Sequence, residues 1–444
     1  MKTGGKICKK LKRNHENLAN FMHPKRTDHS QGLFFEKRLS SLLNPHHRLL
    51  LLAELIDWEE LETGLSLNFE EAGAPAKPVR LIAGIFMLQH MSALSDEAVV
   101  RCWVENPYWQ AFCGYDYLQW TFPVHPSSLS IWRKRLGETG IKKILQATLR
   151  CAIDGELIRA SEMSQVNVDT TVMPKNITYP TDAKLYYRSL RALVRLAGKY
   201  NVPLRQTYTF LAKRALRNCS QYAHARKMKA SRREKRRLHT FLGRVLREVH
   251  RAVDTDKELM LALSKPLEVI QQIHDQKRND KDKVYSVHEP EVRCIAKGKA
   301  HKKYEFGCKV SIVTTRNHGL VLSSQALHTN PFDGHTLKSA IASSEELSGV
   351  KVKRATVDKG YRGHGLKDIE VLISGTRKLS RHFRNLLKRR QAIEPVIGHM
   401  KSDGKLDRNF LKGTLGDSLN AILCGIGHNI RWLLKRLVPE PHFA

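Results

Sequence analysis

Acidic residues are scarce in this chain of 444 residues: 43 Asp+Glu stand against 76 Lys+Arg, a formal net charge of +33. So large an imbalance makes a polyanion the expected partner, and nucleic acid is the commonest one. Long apolar runs are also lacking. The longest, Leu49–Ala53 and Leu81–Leu88, fall far short of the ~20 residues that cross a bilayer, so no membrane partner is expected. The basic amino end has no apolar stretch followed by small residues, which argues against a secretory signal. Paired cysteines are missing as well. The eight present (Cys8, Cys102, Cys113, Cys151, Cys219, Cys294, Cys308, Cys424) never fall at CxxC spacing. That excludes a disulfide scaffold and the usual zinc motifs, and it fits a reducing cytoplasm. No repeat of fixed period and no long low-complexity run is present.

What remains is a chain long enough for about two or three domains, with three textures. Residues 1–45 are polar, basic and weakly patterned, and read as a loosely ordered arm. Residues 46–160 read as helical. Arg48 to Leu61 carries a broad apolar stripe, Lys77 to Met91 follows a proline-rich stretch, and Ser95-Asp96-Glu97 is a helix start with acids in its first turn. Pro126-Ser127-Ser128 opens another helix, predicted to set Arg133, Lys134 and Arg135 on one exposed turn. These cations fit either a solvated face or a helical DNA-contacting module.

From Gln165 the pattern changes. Val166, Val168, Thr170 and Val172 alternate with Asn167, Asp169 and Thr171, which predicts a half-buried strand with an acid on its polar face. A helical segment then interrupts, at about 183–280. Between Arg205 and His250 it carries fourteen Lys/Arg against two acids, including Arg232, Arg233, Arg236 and Arg237. Such a density repels itself unless an anion lies against it. Strands follow at Val292–Ile295, Tyr304–Thr314, Leu320–Ala326 and Val352–Val357, with a helix at His335–Leu347. Alternating strands and helices with acids at strand ends describe a mixed α/β domain.

Three acids are candidates for chemistry. Asp169 lies on the first strand, and Asp358 ends a later one and leads into Lys359-Gly360-Tyr361-Arg362-Gly363. Glu394 lies in Arg390-x3-Glu394-x6-Lys401, where a helix would put all three side chains on one face. Pro395 allows that face only if the helix bends or begins near Glu394. Carboxylates suit Mg²⁺ or Mn²⁺, which take hard oxygen ligands and leave positions for water and phosphate. Asp182 and Glu305 are rival acids. Asp182 reads as a helix cap, and Glu305 as an outward-facing strand residue within reach of Lys303 or Lys309.

The order of motifs resembles the DDE transposases of bacterial insertion sequences, most closely the insertion sequence five family, over residues 45–436. It is carried by Leu94-Ser95-Asp96-Glu97, Glu105-Asn106-Pro107-Tyr108-Trp109, Phe112-Cys113-Gly114 and Pro126-Ser127-Ser128-Leu129 in the helical part. Further on come Val168-Asp169-Thr170-Thr171-Val172, Tyr179-Pro180-Thr181-Asp182, Lys297-Gly298-Lys299-Ala300-His301 and Tyr304-Glu305-Phe306-Gly307. Asp333-Gly334-His335-Thr336-Leu337, Asp358-Lys359-Gly360-Tyr361-Arg362-Gly363 and Ile393-Glu394-Pro395 complete the series. Related groups place a Tyr three residues before the Arg; this chain has Leu387 there, and no tyrosine role is carried over.

The resemblance implies a ribonuclease H-like mixed-sheet catalytic core over 161–438, with the basic helical insertion after its first strand. An all-α DNA-binding domain would precede it. It further implies an Mg²⁺-dependent enzyme that binds the inverted repeats of a mobile element, cleaves the element ends and joins the 3′ ends to target DNA. Asp169, Asp358 and Glu394 would then hold the metals (Mg²⁺ or Mn²⁺), and Arg390 and Lys401 would contact the phosphate backbone. Arg133, Arg135, Arg232, Arg233, Arg236 and Arg237 are the further DNA-contact candidates. Double-stranded DNA is the expected partner, a homodimer or larger assembly the working form, and the bacterial cytoplasm, on the nucleoid when DNA-bound, the location. Two alternatives stay open: a non-catalytic relative that occupies element ends without cutting, and a host nuclease or resolvase sharing the core.

Overall fold

A computed structural model describes residues 37–66, 77–296, 303–375 and 380–437. Most of the expected basic arm and the Lys297–His301 motif lie outside the described residues. The chain forms two compact units, one of residues up to Met173 with Lys309–Leu327 and Pro331 onward, the other Pro174–Cys308 with His328–Asn330.

In the first unit, the described elements before the sheet are helices: α1 (Leu39–Leu42), α2 (Arg48–Leu55), α3 (Trp58–Ser66), α4 (Val79–Met91), α5 (Asp96–Glu105), α6 (Pro107–Phe112) and α7 (Ser128–Asp154). The Ser95 hydroxyl accepts from the Ala98 amide at 3.1 Å and caps α5, as its sequence requires. α4 is buried on every side from Leu81 to His90, so it is a central core helix.

The mixed sheet of this unit contains β1 (Gln165–Pro174), the later part of β3 (Tyr304–Thr315), β4 (Val321–Leu327), β5 (Arg354–Val357) and β6 (Glu370–Ile373). β4 pairs with β3, β3 lies beside β1, β1 beside β5 and β5 beside β6. β3 and β4 are antiparallel, whereas β1, β5 and β6 run parallel. β1 is therefore interior to the sheet. Val166, Asn167, Val168, Thr170, Thr171, Val172 and Met173 are all buried, so the alternation that predicts a half-buried strand instead belongs to one covered on both faces. Helices α12 (Asp333–Ser348), α13 (Arg381–Lys388), α14 (Ile393–Ser402) and α15 (Gly413–Leu437) complete the unit. Helices and sheet share one apolar core, which joins Phe86, Trp103 and Leu145 to Val166, Val357 and Ile426.

The second unit is built on α8 (Asp182–Lys199), α9 (Thr209–His224), α10 (Met228–Val253) and α11 (Lys257–Asp275), with β2 (Arg293–Ala296) antiparallel to Tyr304–Gly307 of β3. Its own core includes Leu190, Leu242, Val249 and Ile273. Among the described residues no helix is long and apolar enough to cross a membrane.

Candidate active site

β1 and β5 set two of the three acids. Their parallel register pairs Gln165 with Arg354 and Asn167 with Thr356. Asp169 lies two residues beyond that paired stretch in β1 and Asp358 directly follows β5, and both carboxylates are near enough to act on the buried Tyr361. Each carboxylate is oriented by backbone. The Thr170 amide donates to Asp169 Oδ1 at 2.7 Å, and the Gly360 amide donates to Asp358 Oδ1 at 2.9 Å as Asp358 caps the short 3₁₀ turn Lys359–Tyr361.

Glu394 comes from the first turn of α14. A 3₁₀ turn, Arg389–Ala392, ends at Ile393, where the α-helix begins. Pro395 thus falls where the amides have no intrahelical acceptor, and it costs no helical bond. Arg390 lies between two acids: Nη1 is 3.5 Å from Asp169 Oδ2 and Nη2 is 3.2 Å from Glu394 Oε1. The Asn167 side chain reinforces this placement by donating to the Arg389 carbonyl at 3.2 Å. The Glu394 side chain is 60% exposed against 18% for Asp169, so it is the acid most open to a large ligand. Lys401 is half-buried near the end of the same helix.

A fourth carboxylate joins them, one that the sequence reading passes over because Asp333 sits in a turn-like Asn330–Gly334 run. Asp333 Oδ1 accepts from the Thr170 hydroxyl at 2.9 Å and pairs with Lys309 Nζ at 2.6 Å. Its Oδ2 faces Gly360, where an added Cβ would lie 3.0 Å from Asp333 Oδ2 and 3.1 Å from Asp358 Oδ1. A side chain here would have to push both carboxylates back by a few tenths of an ångström. Tyr361 is fully buried beneath the group. Burial, with the negative charges of Asp169, Asp333 and Asp358, pushes its phenol pKa well up, which keeps it a neutral hydroxyl.

Several expectations need correcting. Arg133 is not on an exposed turn: it is buried, paired with Asp96 and set over the ring of Phe86. A guanidinium so enclosed is anchored in the core and cannot also meet phosphate, while neighbouring Arg135 is exposed. Glu305 does not face outward but is buried. Thr181, not Asp182, caps α8, and Asp182 pairs with Lys235 at 2.8 Å. In the second unit Arg232, Arg233, Arg236 and Arg237 are all exposed on α10. Arg237 also bonds Glu234 at 3.0 Å.

Residues 37–135 match the family model described as Transposase domain (DUF772); that stretch covers α1 to the start of α7 and ends before β1. No solved structure matches the chain. The chain is 42% identical over 205 residues to the uncharacterized protein ORF8 in the nfe locus of Rhizobium meliloti, a match that spans 46% of this chain and 99% of that protein. The chain therefore belongs to the same family as that protein, and its transposase domain makes it a transposase-like protein.

Proposed function

We propose that the chain is a DNA transposase that cleaves phosphodiester bonds at element ends and joins the 3′ ends to target DNA, with Asp169, Asp358 and Glu394 as the metal-holding acids. The observation that carries this reading is the approach of acids remote in sequence: Asp169 lies within β1, Asp358 directly follows the adjacent parallel strand β5, and Arg390 ties Asp169 to Glu394. A sheet with antiparallel strands on one side of β1 and parallel strands on the other supports the ribonuclease H-like core. So do the helices that follow β1.

The donor types suit a hard divalent cation, although the structure does not bring the oxygens of all three acids within 4.8 Å of one another. Asp169, Asp358 and Glu394 offer carboxylate oxygens, and the charges of Asp169, Asp333 and Asp358 add to burial in raising the Tyr361 phenol. When bound, Mg²⁺ supplies Lewis acidity at the phosphate and activates the attacking oxygen. The protein's own groups do the rest. Asp169 and Asp358 are held in place by the Thr170 and Gly360 amides. Arg390 carries a delocalised charge suited to a phosphate oxygen once DNA arrives, and Lys401 adds a second cation on α14.

DNA is bound elsewhere too. On α10, Lys229, Arg233, Arg236, Arg244, Arg247 and Arg251 are exposed. At ~100° per residue they fall within an arc of about 80°, and at ~1.5 Å rise they span about 33 Å. That length approaches one ~34 Å turn of duplex. Arg232 and Arg237 flank the stripe, and Arg135 is a contact from the helical part of the first unit. Two element ends joined to one target require at least a dimer in the working complex, and the bacterial nucleoid is where it would act.

The test uses the purified chain and a duplex carrying one element end. Mg²⁺-dependent strand cleavage that a chelator stops is the expected result. Specific binding without cleavage in Mg²⁺ or Mn²⁺ would instead establish the regulatory, non-catalytic alternative. Binding should also weaken steeply with salt, because each phosphate contact contributes about −0.9 to the log–log slope. Replacing Arg233, Arg236 and Arg247 together by alanine should flatten that slope by about 2.7; an unchanged slope would remove α10 from the interface.

A further inference from the structure

We propose that Asp333, clamped by Lys309, is a positioning residue that fixes the orientation of Asp169 and Asp358 relative to each other. This rests on the metal-dependent reading above and assigns a role to two residues outside its acidic triad.

Asp333 is hydrogen-bonded to Asp169 through Thr170 and lies close to Asp358 across Gly360. Its Oδ1 takes the Thr170 hydroxyl, at 2.9 Å, and Thr170 in turn donates its amide to Asp169 at 2.7 Å. One residue of β1 therefore links the two carboxylates. Its Oδ2 sits over Gly360, the residue whose amide holds Asp358. Lys309 supplies the third tie from β3: Nζ is 2.6 Å from Asp333 Oδ1 and donates to the Pro331 carbonyl at 2.8 Å. The Thr336 hydroxyl closes the first turn of α12 onto the Asp333 carbonyl at 2.7 Å. Asp333 thus joins β1, β3, α12 and the turn after β5.

The charges explain why a lysine accompanies it. A third carboxylate beside Asp169 and Asp358 would add repulsion, and Lys309, itself buried, offsets that charge while holding the group still. Mg²⁺ demands near-octahedral geometry, so a small error in where the two ligands point should appear as weaker metal binding. Partners that orient ligands in this way typically account for about 10–100-fold in metal affinity.

The test measures Mn²⁺ binding by calorimetry on the full chain without DNA, alongside the Mg²⁺ concentration that half-saturates cleavage. Asp333→Asn keeps the shape and an acceptor for Thr170. It should weaken Mn²⁺ binding about tenfold and raise the Mg²⁺ requirement by a similar factor, with DNA affinity unchanged. Thr170→Val cuts the link to β1 while leaving the ion pair, and should shift both in the same direction by a smaller factor. If Asp333→Asn does not fold, Thr170→Val carries the test. Wild-type Mn²⁺ affinity in the folded variants, with only a lowered melting temperature, would overturn the proposal by making the pair merely structural. Asp358→Asn separates the two readings. If it too binds Mn²⁺ like the wild type, the metal reading itself has failed.

Discussion

Asp169→Asn and Asp358→Asn are each expected to cut DNA strand cleavage by about 1,000-fold or more while leaving specific DNA binding intact. A metal's charge stabilisation of the transition state is worth several kcal/mol, and about 1.4 kcal/mol is tenfold in rate. Asparagine keeps the side-chain outline, so the Thr170 and Gly360 amides still find an oxygen acceptor. What is lost is the negative charge. Removing an acid facing phosphate should, if anything, tighten binding slightly. Glu394→Gln should lose cleavage similarly, and it also reduces the ion pair with Arg390 to a neutral hydrogen bond. A gel assay of nicked product beside an electrophoretic-mobility assay checks both halves. Cleavage at the wild-type rate in any one variant removes that residue from the site.

Asn429→Leu should have the largest effect on stability. Asn429 is fully buried on α15. Its Oδ1 accepts from the Val321 amide at 2.9 Å, and its Nδ2 donates to the Val321 carbonyl at 2.8 Å and to Thr148 Oγ1 at 3.1 Å. The side-chain amide thus pairs with β4 as another strand would. Leucine leaves a buried N–H and a buried C=O without these partners, at about 1–3 kcal/mol each. Its extra apolar burial offsets part of this, so a net loss near 3 kcal/mol is expected. Urea unfolding of the variant beside the wild type measures it, and an unchanged midpoint would contradict the role given to this amide.

Much of the proposed site is legible in the sequence because its acids are marked locally. Asp169 sits in a β-branched run, Asp358 before a glycine turn, and Glu394 between cations at helical spacing. Ser95 announces its helix by the same local chemistry. The errors come where tertiary packing overrides the local pattern. Arg133 reads as surface because it adjoins Lys134 and Arg135, yet the helix turns it toward Asp96 in the core. β1 alternates, yet strands on both sides and layers on both faces bury it. β6, Glu370–Ile373, is too short to produce a period. Asp333 falls in a turn-like run, and only the fold brings Lys309 and Thr170 to it.

The core of the first unit closes late in synthesis. α4 is buried on all sides from Leu81 to His90, and α15 packs against it, with Arg431 donating to the carbonyls of His90 and Met91. These partners are 340 and 341 residues apart in the sequence. At ~5–20 residues per second the ribosome takes roughly 20 to 70 s to travel from one to the other. For that interval the apolar surface of α4 lacks its final cover. The nascent protein should therefore depend on a holdase, and copies truncated before residue 413 should accumulate as aggregate rather than as DNA-binding fragments.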